Sequence, residues 1–376
     1  MLDFAVRRGL EHAGGLHVLK RAISNEHDKV SGEFPVWGII LLVLTAIAFF
    51  VFLIVVEYAL QYLIATLAAI ETPNAAITIS APKEAATGEE KEGLLETSPE
   101  ATLVHEKPIT SSIRATLKHL RAESGRRAHL KGFGYHFLYS MVVSQVTNLF
   151  FLIVPANLFT AVVGAAVAGA VCAPLHAAWT NKVISKHSNV TFWQRIPNRS
   201  SWKIVALPAA VVALVPYLQI ALIFVFAQFL NLPTVGEQSR STVTLAGVAW
   251  HLFKFIALVF AVAATTLFLY IPAMATLVRT EASLLSEDQD TVVPFDRTFA
   301  GKVVPKSLGG TGVVRFVDAW KSFDGEGRRR VFKHFVKSFF VEIFMVIVIF
   351  HVFLLELLVI MGTSFGPAVK QAVGHN

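Results

Sequence analysis

From Gly132 to Asn181 the chain runs for 50 residues without a Lys, Arg, Asp or Glu. A helix that is apolar on every face must lie in a protein core or in lipid. About 20 such residues cross the hydrocarbon layer of a bilayer, so this stretch has room for two spans, with Pro155-Ala156-Asn157 supplying the turn. Inside lipid every backbone polar group must be bonded within the chain, which leaves helices or a closed barrel. Runs this long select helices.

The rest of the chain agrees. Of 376 residues, 54% are hydrophobic and 16% charged, against about 25% charged in a soluble domain. The mean hydropathy is +0.59. Disorder, collagen-like repeats and a single soluble domain are excluded. The lone cysteine, Cys172, allows no intramolecular disulfide and no zinc-site spacing. The net charge of +7 would suit nucleic acid, but the basic residues sit between apolar runs. Anionic membrane lipid is therefore the expected partner, and no nucleic acid.

Six helices are expected. The first starts at Pro35, is uncharged to Val56 and continues past Glu57 to Ile70, too long for one upright span, so it tilts or projects. Two lie in the uncharged stretch. A fourth occupies Ile204 to Gly236, stopped by Asn231-Leu232-Pro233. The fifth covers about 243 to 277, broken only by Lys254, and the sixth about 334 to 361, with Lys337, Glu342 and Glu356 inside it.

The chain thus divides into an N-terminal segment 1–34, a first helix with insertion and loop helix 35–132, and the second and third helices 133–203. The fourth and fifth helices 204–277, a basic loop 278–333, and the sixth helix with tail 334–376 follow. Segment 1–34 reads as an interfacial amphipathic helix, and Asp3, Glu11 and Glu26 argue against an acid-poor transit peptide. Residues 82–108, with Pro82, Pro99, Pro108 and the acidic Gly88-Glu89-Glu90-Lys91-Glu92, read as a disordered or surface insertion.

Charge asymmetry orients the helices. Loops 71–132, 180–203 and 278–333 fall on one face and hold 9, 5 and 10 Lys+Arg, 24 of the chain's 33. That face is expected toward the cytoplasm or the mitochondrial matrix.

Two marks recur at intervals of about a hundred residues. Prolines stand at or just past the ends of the odd-numbered spans, at Pro73, Pro174 and Pro272, each followed by small residues and a threonine. They are expected to kink those helices and let neighbours approach closely. Before each even-numbered span comes Gly125-Arg126-Arg127 to Leu130-Lys131, Pro197-Asn198-Arg199 to Trp202-Lys203, or Gly327-Arg328-Arg329 to Phe332-Lys333.

This pattern resembles the mitochondrial carrier family, whose members carry three repeats of about a hundred residues, each of two membrane helices joined by a loop with a short helix. Glu326-Gly327 with Phe332-Lys333, Gly125 with Lys131-Gly132, and Trp202-Lys203 match its motif before the even helices, and Ser112–Ser124 and Arg315–Asp324 resemble its amphipathic loop helices. The resemblance implies an all-α membrane fold of six helices in three pseudo-repeats over about residues 35–362. It also implies a mitochondrial membrane, inner or outer, and transport of a small solute. The departures lie in the gates: two residues after the prolines, where the family has an acid, stand Ala75, His176 and Met274, and five after, where it has a base, stand Thr78, Trp179 and Leu277. The family's charged gate cannot form from these residues. A non-transporting scaffold or membrane-protein insertion factor on the same fold is the alternative.

Ionisable groups inside apolar spans are costly and usually face a bundle interior. Glu57, Lys254 and Glu342 are the candidates to line a polar cavity, whereas Lys337 and Glu356 lie near helix ends and are expected to snorkel. Gln145, Asn148, Gln219 and Gln228 suit bonds between helices. His176, His251 and His351 are solitary, so no metal site, cofactor or enzymatic constellation is expected. At the starts of the even helices, free N–H groups and the positive dipole end suit a lipid phosphate. Gly125, Lys131 and Gly132, Trp202 and Lys203, and Gly327 and Lys333 are the candidates there, where the resembled family binds cardiolipin. Ordinary interfacial anchoring by Lys and Trp is the competing reading. The sequence leaves the solute and the oligomeric state open.

Overall fold

The computed structural model describes residues 35–72, 75–79, 101–105, 107–155, 157–186, 190–229 and 245–362. The expected helix at 1–34, Pro73 and most of the acidic insertion lie outside the described residues. Among the described residues, six helices are long and apolar enough to cross a membrane. They are α1 (Val36–Ile70), α3 (Phe133–Ile153), α4 (Leu158–Ile184), α6 (Arg199–Phe229), α7 and α9 (Gly325–Met361). Helix α7 comprises Leu245–Thr265, a π turn Thr266–Tyr270, and Ile271–Ala282. Their large apolar side chains, such as Phe159, Phe224 and Phe260, are exposed, as bilayer-facing residues would be. Between the spans lie the amphipathic α2 (Ile113–Ser124) and the shorter α5 (Phe192–Arg195) and α8 (Phe316–Lys321). Among the described residues, the one pair of strands is β1 (Ala75–Ile79) antiparallel to β2 (Ala101–His105), so the end of the proposed insertion is a strand.

Local sequence explains the helix ends. Asn157 caps α4: its Oδ1 accepts from the Thr160 N–H at 2.9 Å while Thr160 Oγ1 accepts from the Asn157 N–H at 2.8 Å, a capping box. Helix α2 ends at Gly125, whose φ of +80° suits a residue without Cβ. Pro174 sits inside α4, and Pro272 opens the last segment of α7, directly after its π turn. A second π turn, Tyr58–Ile64, interrupts α1. Such turns widen the helix and leave carbonyls in need of outside donors. Here His334 Nε2 donates to the Leu60 carbonyl at 2.8 Å.

The chain divides into two compact units, one of residues up to Leu53 together with those from Glu342, the other Ile54–Val341. In the first, α1 and α9 pair: Thr45 Oγ1 donates to Glu356 Oε1 at 2.9 Å, and the Phe49 and Phe353 rings lie 5.8 Å apart. Glu356, expected to snorkel, instead takes a bond from the neighbouring helix.

The second unit contains the core, where α1, α4 and α7 end. Leu63, Leu67, Ile70, Trp179, Ile184, Val278 and Phe323 are buried there. Helices α4 and α6 approach closely at Gly169, where a Cβ would meet Ala213 Cβ at 2.5 Å. Gln219 ties α6 to α7, its Nε2 donating to Thr265 and Thr266 at 3.1 and 2.9 Å, the interhelical role expected of it. Three loops join on one face. Thr72 N–H donates to the Pro294 carbonyl, Lys186 N–H to that of Asp290, and Val292 N–H to that of Ile184, each at 2.8 Å. The three basic loops are therefore on the same side of this unit, as the charge count expected.

Candidate functional site

At the ends of α1, α4 and α7 the polar groups are buried and bonded. The Glu281 carboxylate, without exposed surface, accepts from His176 Nδ1 at 2.8 and 2.9 Å and from Thr180 Oγ1 at 2.5 Å, which ties α7 to α4. His176 and Thr180 stand one turn apart, so they present one face to that carboxylate. Trp179 extends the layer to α1: its Nε1 donates to the Tyr58 hydroxyl at 3.1 Å, which donates to the Lys131 carbonyl at 2.5 Å.

Cations then cap the helix ends. Arg279 on α7 donates to the Ala69 carbonyl at 3.3 Å and lies 5.2 Å from the centres of the Phe299 and Phe323 rings. Arg330 on α9 donates to the carbonyls of Ala68 at 3.3 Å and Glu71 at 2.6 Å. Glu71 carboxylate oxygens accept from the N–H groups of Ile109 and Thr110 and from the Thr110 hydroxyl. At the end of α4, Lys131 Nζ donates to the Ser185 carbonyl at 2.5 Å, and Arg195 to Ser185 Oγ at 3.1 Å. A helix leaves its last carbonyls unbonded and carries partial negative charge there, so cations stabilise it on both counts.

Directly against this layer lies a cavity of 170 Å³. Its wall takes Gln61, Tyr62 and Thr66 from α1, His136, Tyr139 and Ser140 from α3, His176 and Trp179 from α4, Pro216 from α6, and Tyr270 and Met274 from α7. Aromatic rings pack its wall: His136 lies 4.2 Å from Tyr62 and 5.4 Å from Trp179, and Tyr139 lies 5.0 Å from His176, centre to centre. His136 Nδ1 is buried without a hydrogen-bond partner among the described residues. No Lys, Arg, Asp or Glu lines the cavity. It can offer hydrogen bonds and aromatic faces to a small solute, and no formal charge beyond what His136 or His176 takes up.

Glu57, Lys254 and Glu342 are not in this wall. Glu57 is exposed at the turn before the π segment, Glu342 is half-buried, and Lys254 is buried with its ammonium 5.5 Å from the Trp250 ring. Position within an apolar run does not determine which way a helix turns its side chains. Of the prolines, Pro174 lies two residues before the buried His176 and Pro272 follows the π turn that ends at Tyr270. Glu281, missed by sequence reasoning, follows Arg279 closely and reads as loop. The recurrence of His176 and Thr180 at helical spacing was the available signal.

The proposed lipid-binding residues are placed differently from one another. Lys131 turns inward to Ser185, and Gly132, at φ +80°, packs so closely that a Cβ would meet Val183 Cγ2 at 3.0 Å. Gly125 opens on free space. Trp202 Nε1 donates to the Ala170 carbonyl at 2.7 Å, and Lys203 is exposed. The Gly327 N–H donates to Asp324 Oδ1 at 3.1 Å, while Lys333 is exposed. No protein-family model, curated protein or solved structure matches the chain.

Proposed function

We propose that this chain is a multi-pass membrane transporter, divergent from mitochondrial carriers, that takes a small polar solute into the cavity beside Trp179 and His176. The observation that carries the reading is the cavity wall: hydrogen-bonding side chains from α1, α3 and α4 meet there, closed by the layer joining α1, α4 and α7. In this reading the Glu281–His176 bond and the Trp179–Tyr58 bond are the gate, replacing the charged pairs of the resembled family. The π turns and Pro174 give α1, α4 and α7 places to bend as it opens. The mitochondrial location and the threefold repeat rest on the resemblance alone.

The volume of 170 Å³ lies below the roughly 300 Å³ at which ligand pockets begin, so the solute is smaller than a drug-sized ligand. The same volume favours the second reading, a scaffold or insertion factor that transports nothing. The test is to screen the purified full chain against pooled small polar metabolites for thermal stabilisation, then measure uptake of any hit into proteoliposomes. Ser140→Phe, which fills the cavity, is expected to abolish stabilisation and uptake. No hit, together with full complementation of a deletion strain by Ser140→Phe, would assign the scaffold role.

A further inference from the structure

Between α2 and the stretch Lys337 to Val341 of α9 lies an open groove of 960 Å³. Arg114, Lys118, Arg121, Arg126 and Lys337 surround it with His129, and no acid lines it. Arg114, Lys118 and Arg121 lie at helical spacing on one exposed face of α2, because Thr116 and Leu120 turn the other face into the core. The side chains of these three and of Arg126 make no ion pair or hydrogen bond with any described residue. Among the described residues, Lys337 bonds only the Ser111 carbonyl, at 3.3 Å. Five cations held together without acids repel one another, a cost that an anion in the groove would relieve.

The opposite wall is apolar. Phe340 and Val341 line it at 63% and 39% exposure, and Ile113 and Leu117 complete it. Lys337 is the last cation of the basic start of α9, and the helix then enters its apolar span, so the groove lies where headgroups would meet hydrocarbon. A soluble phosphate would use the cations and leave the apolar wall wet. A phospholipid uses both.

We propose that this groove binds an anionic phospholipid of the surrounding bilayer, its phosphate among the α2 cations and Lys337 and an acyl chain along Phe340 and Val341. The site takes Arg126 and His129 from the segment before α3 but not Lys131, which is committed to Ser185. It does not depend on the transport reading.

The test is native mass spectrometry of the full chain, purified in detergent and mixed with phosphatidylglycerol or phosphatidylcholine. The expected result is selective retention of phosphatidylglycerol, reduced at least about tenfold in the triple variant Arg114→Gln/Lys118→Gln/Arg121→Gln at unchanged melting temperature. Because Lys203, Lys302 and Lys321 are exposed elsewhere, their triple Gln variant is expected to retain the lipid. Phe340→Ser is expected to weaken retention of the lipid and leave binding of glycerol phosphate unchanged. Three outcomes would overturn the proposal: equal retention of both lipids, loss in the Lys203 triple instead, or displacement by equimolar glycerol phosphate. Retention only after deletion of residues 84–96 would also overturn it, assigning the groove to that acidic segment of the chain.

Discussion

Glu281 and His176 carry the contact between α4 and α7 through bonds of 2.8 and 2.9 Å, and their value depends on both being present. Removing one partner of a buried hydrogen-bonded pair leaves the other's polar atoms stranded, at a cost of about 1–3 kcal/mol. Glu281→Ala is therefore expected to lower stability by that amount, measured by thermal or denaturant unfolding in detergent. Adding His176→Ala should cost much less than a second full penalty. Strict additivity in that double-mutant cycle would mean that the two side chains are not coupled. Arg279 poses a similar question, because its guanidinium serves the Ala69, Ala319 and Ser322 carbonyls at once. A lysine has one donor centre and cannot reach all three, so Arg279→Lys is expected to destabilise by about 1–3 kcal/mol despite keeping the charge.

Close approach of helices, rather than polar bonding, decides the element scale. Gly169→Leu would drive its side chain against Ala213 and the Ala209 carbonyl, forcing α4 and α6 apart. The expected cost is about 1–3 kcal/mol, with the loss of Trp202 protection from the Ala170 contact as a fluorescence readout. The loop after α7 supplies a pH-dependent element. Glu287 accepts from the backbone N–H of Lys306 at 2.6 Å and that of Ser307 at 3.2 Å, and these bonds hold its carboxyl below the usual carboxylate range. A carboxyl whose folded pKa is depressed stabilises the fold above its unfolded value and loses that contribution as pH falls through the folded one. Amide exchange at Lys306 is expected to accelerate, beyond the intrinsic pH trend, below the ordinary value of 4.5, and Glu287→Gln should remove that dependence. The elements themselves were legible because their signals are local. Pro155-Ala156-Asn157 marks the turn before α4, and Ser112–Ser124 reads as the loop helix that became α2. The β1–β2 pair was missed because strand pairing joins residues separated by an acidic segment, and no local period marks it.

For the whole molecule, the joined loops predict a single sidedness. Cysteines introduced at Lys203 and Lys302 in a Cys172→Ala background should label from the same side of a sealed membrane vesicle. Labelling from opposite sides would contradict the six-span arrangement. Length, uncharged runs and the positions of 33 basic residues lead to this expectation without coordinates, because the exclusion of charge from lipid acts on each segment separately. The cavity wall was a different matter. Glu57, Lys254 and Glu342 stand out in sequence as the costly charges, yet the wall consists of neutral and aromatic side chains such as Tyr62, His136 and Trp179. Whether a residue faces a cavity depends on the phase of its helix and on what packs opposite. A π turn such as Tyr58–Ile64 shifts that phase in a way no apolar run reveals. Likewise, Arg330 and Arg279 read as loop charge until folding brings them to the open carbonyls at the end of α1. The long apolar helices and their count follow from the one-dimensional distribution of charge; the cavity and the bonded helix ends beside it depend on contacts between residues as far apart as His176 and Glu281 or Ala68 and Arg330, which only the packed structure creates.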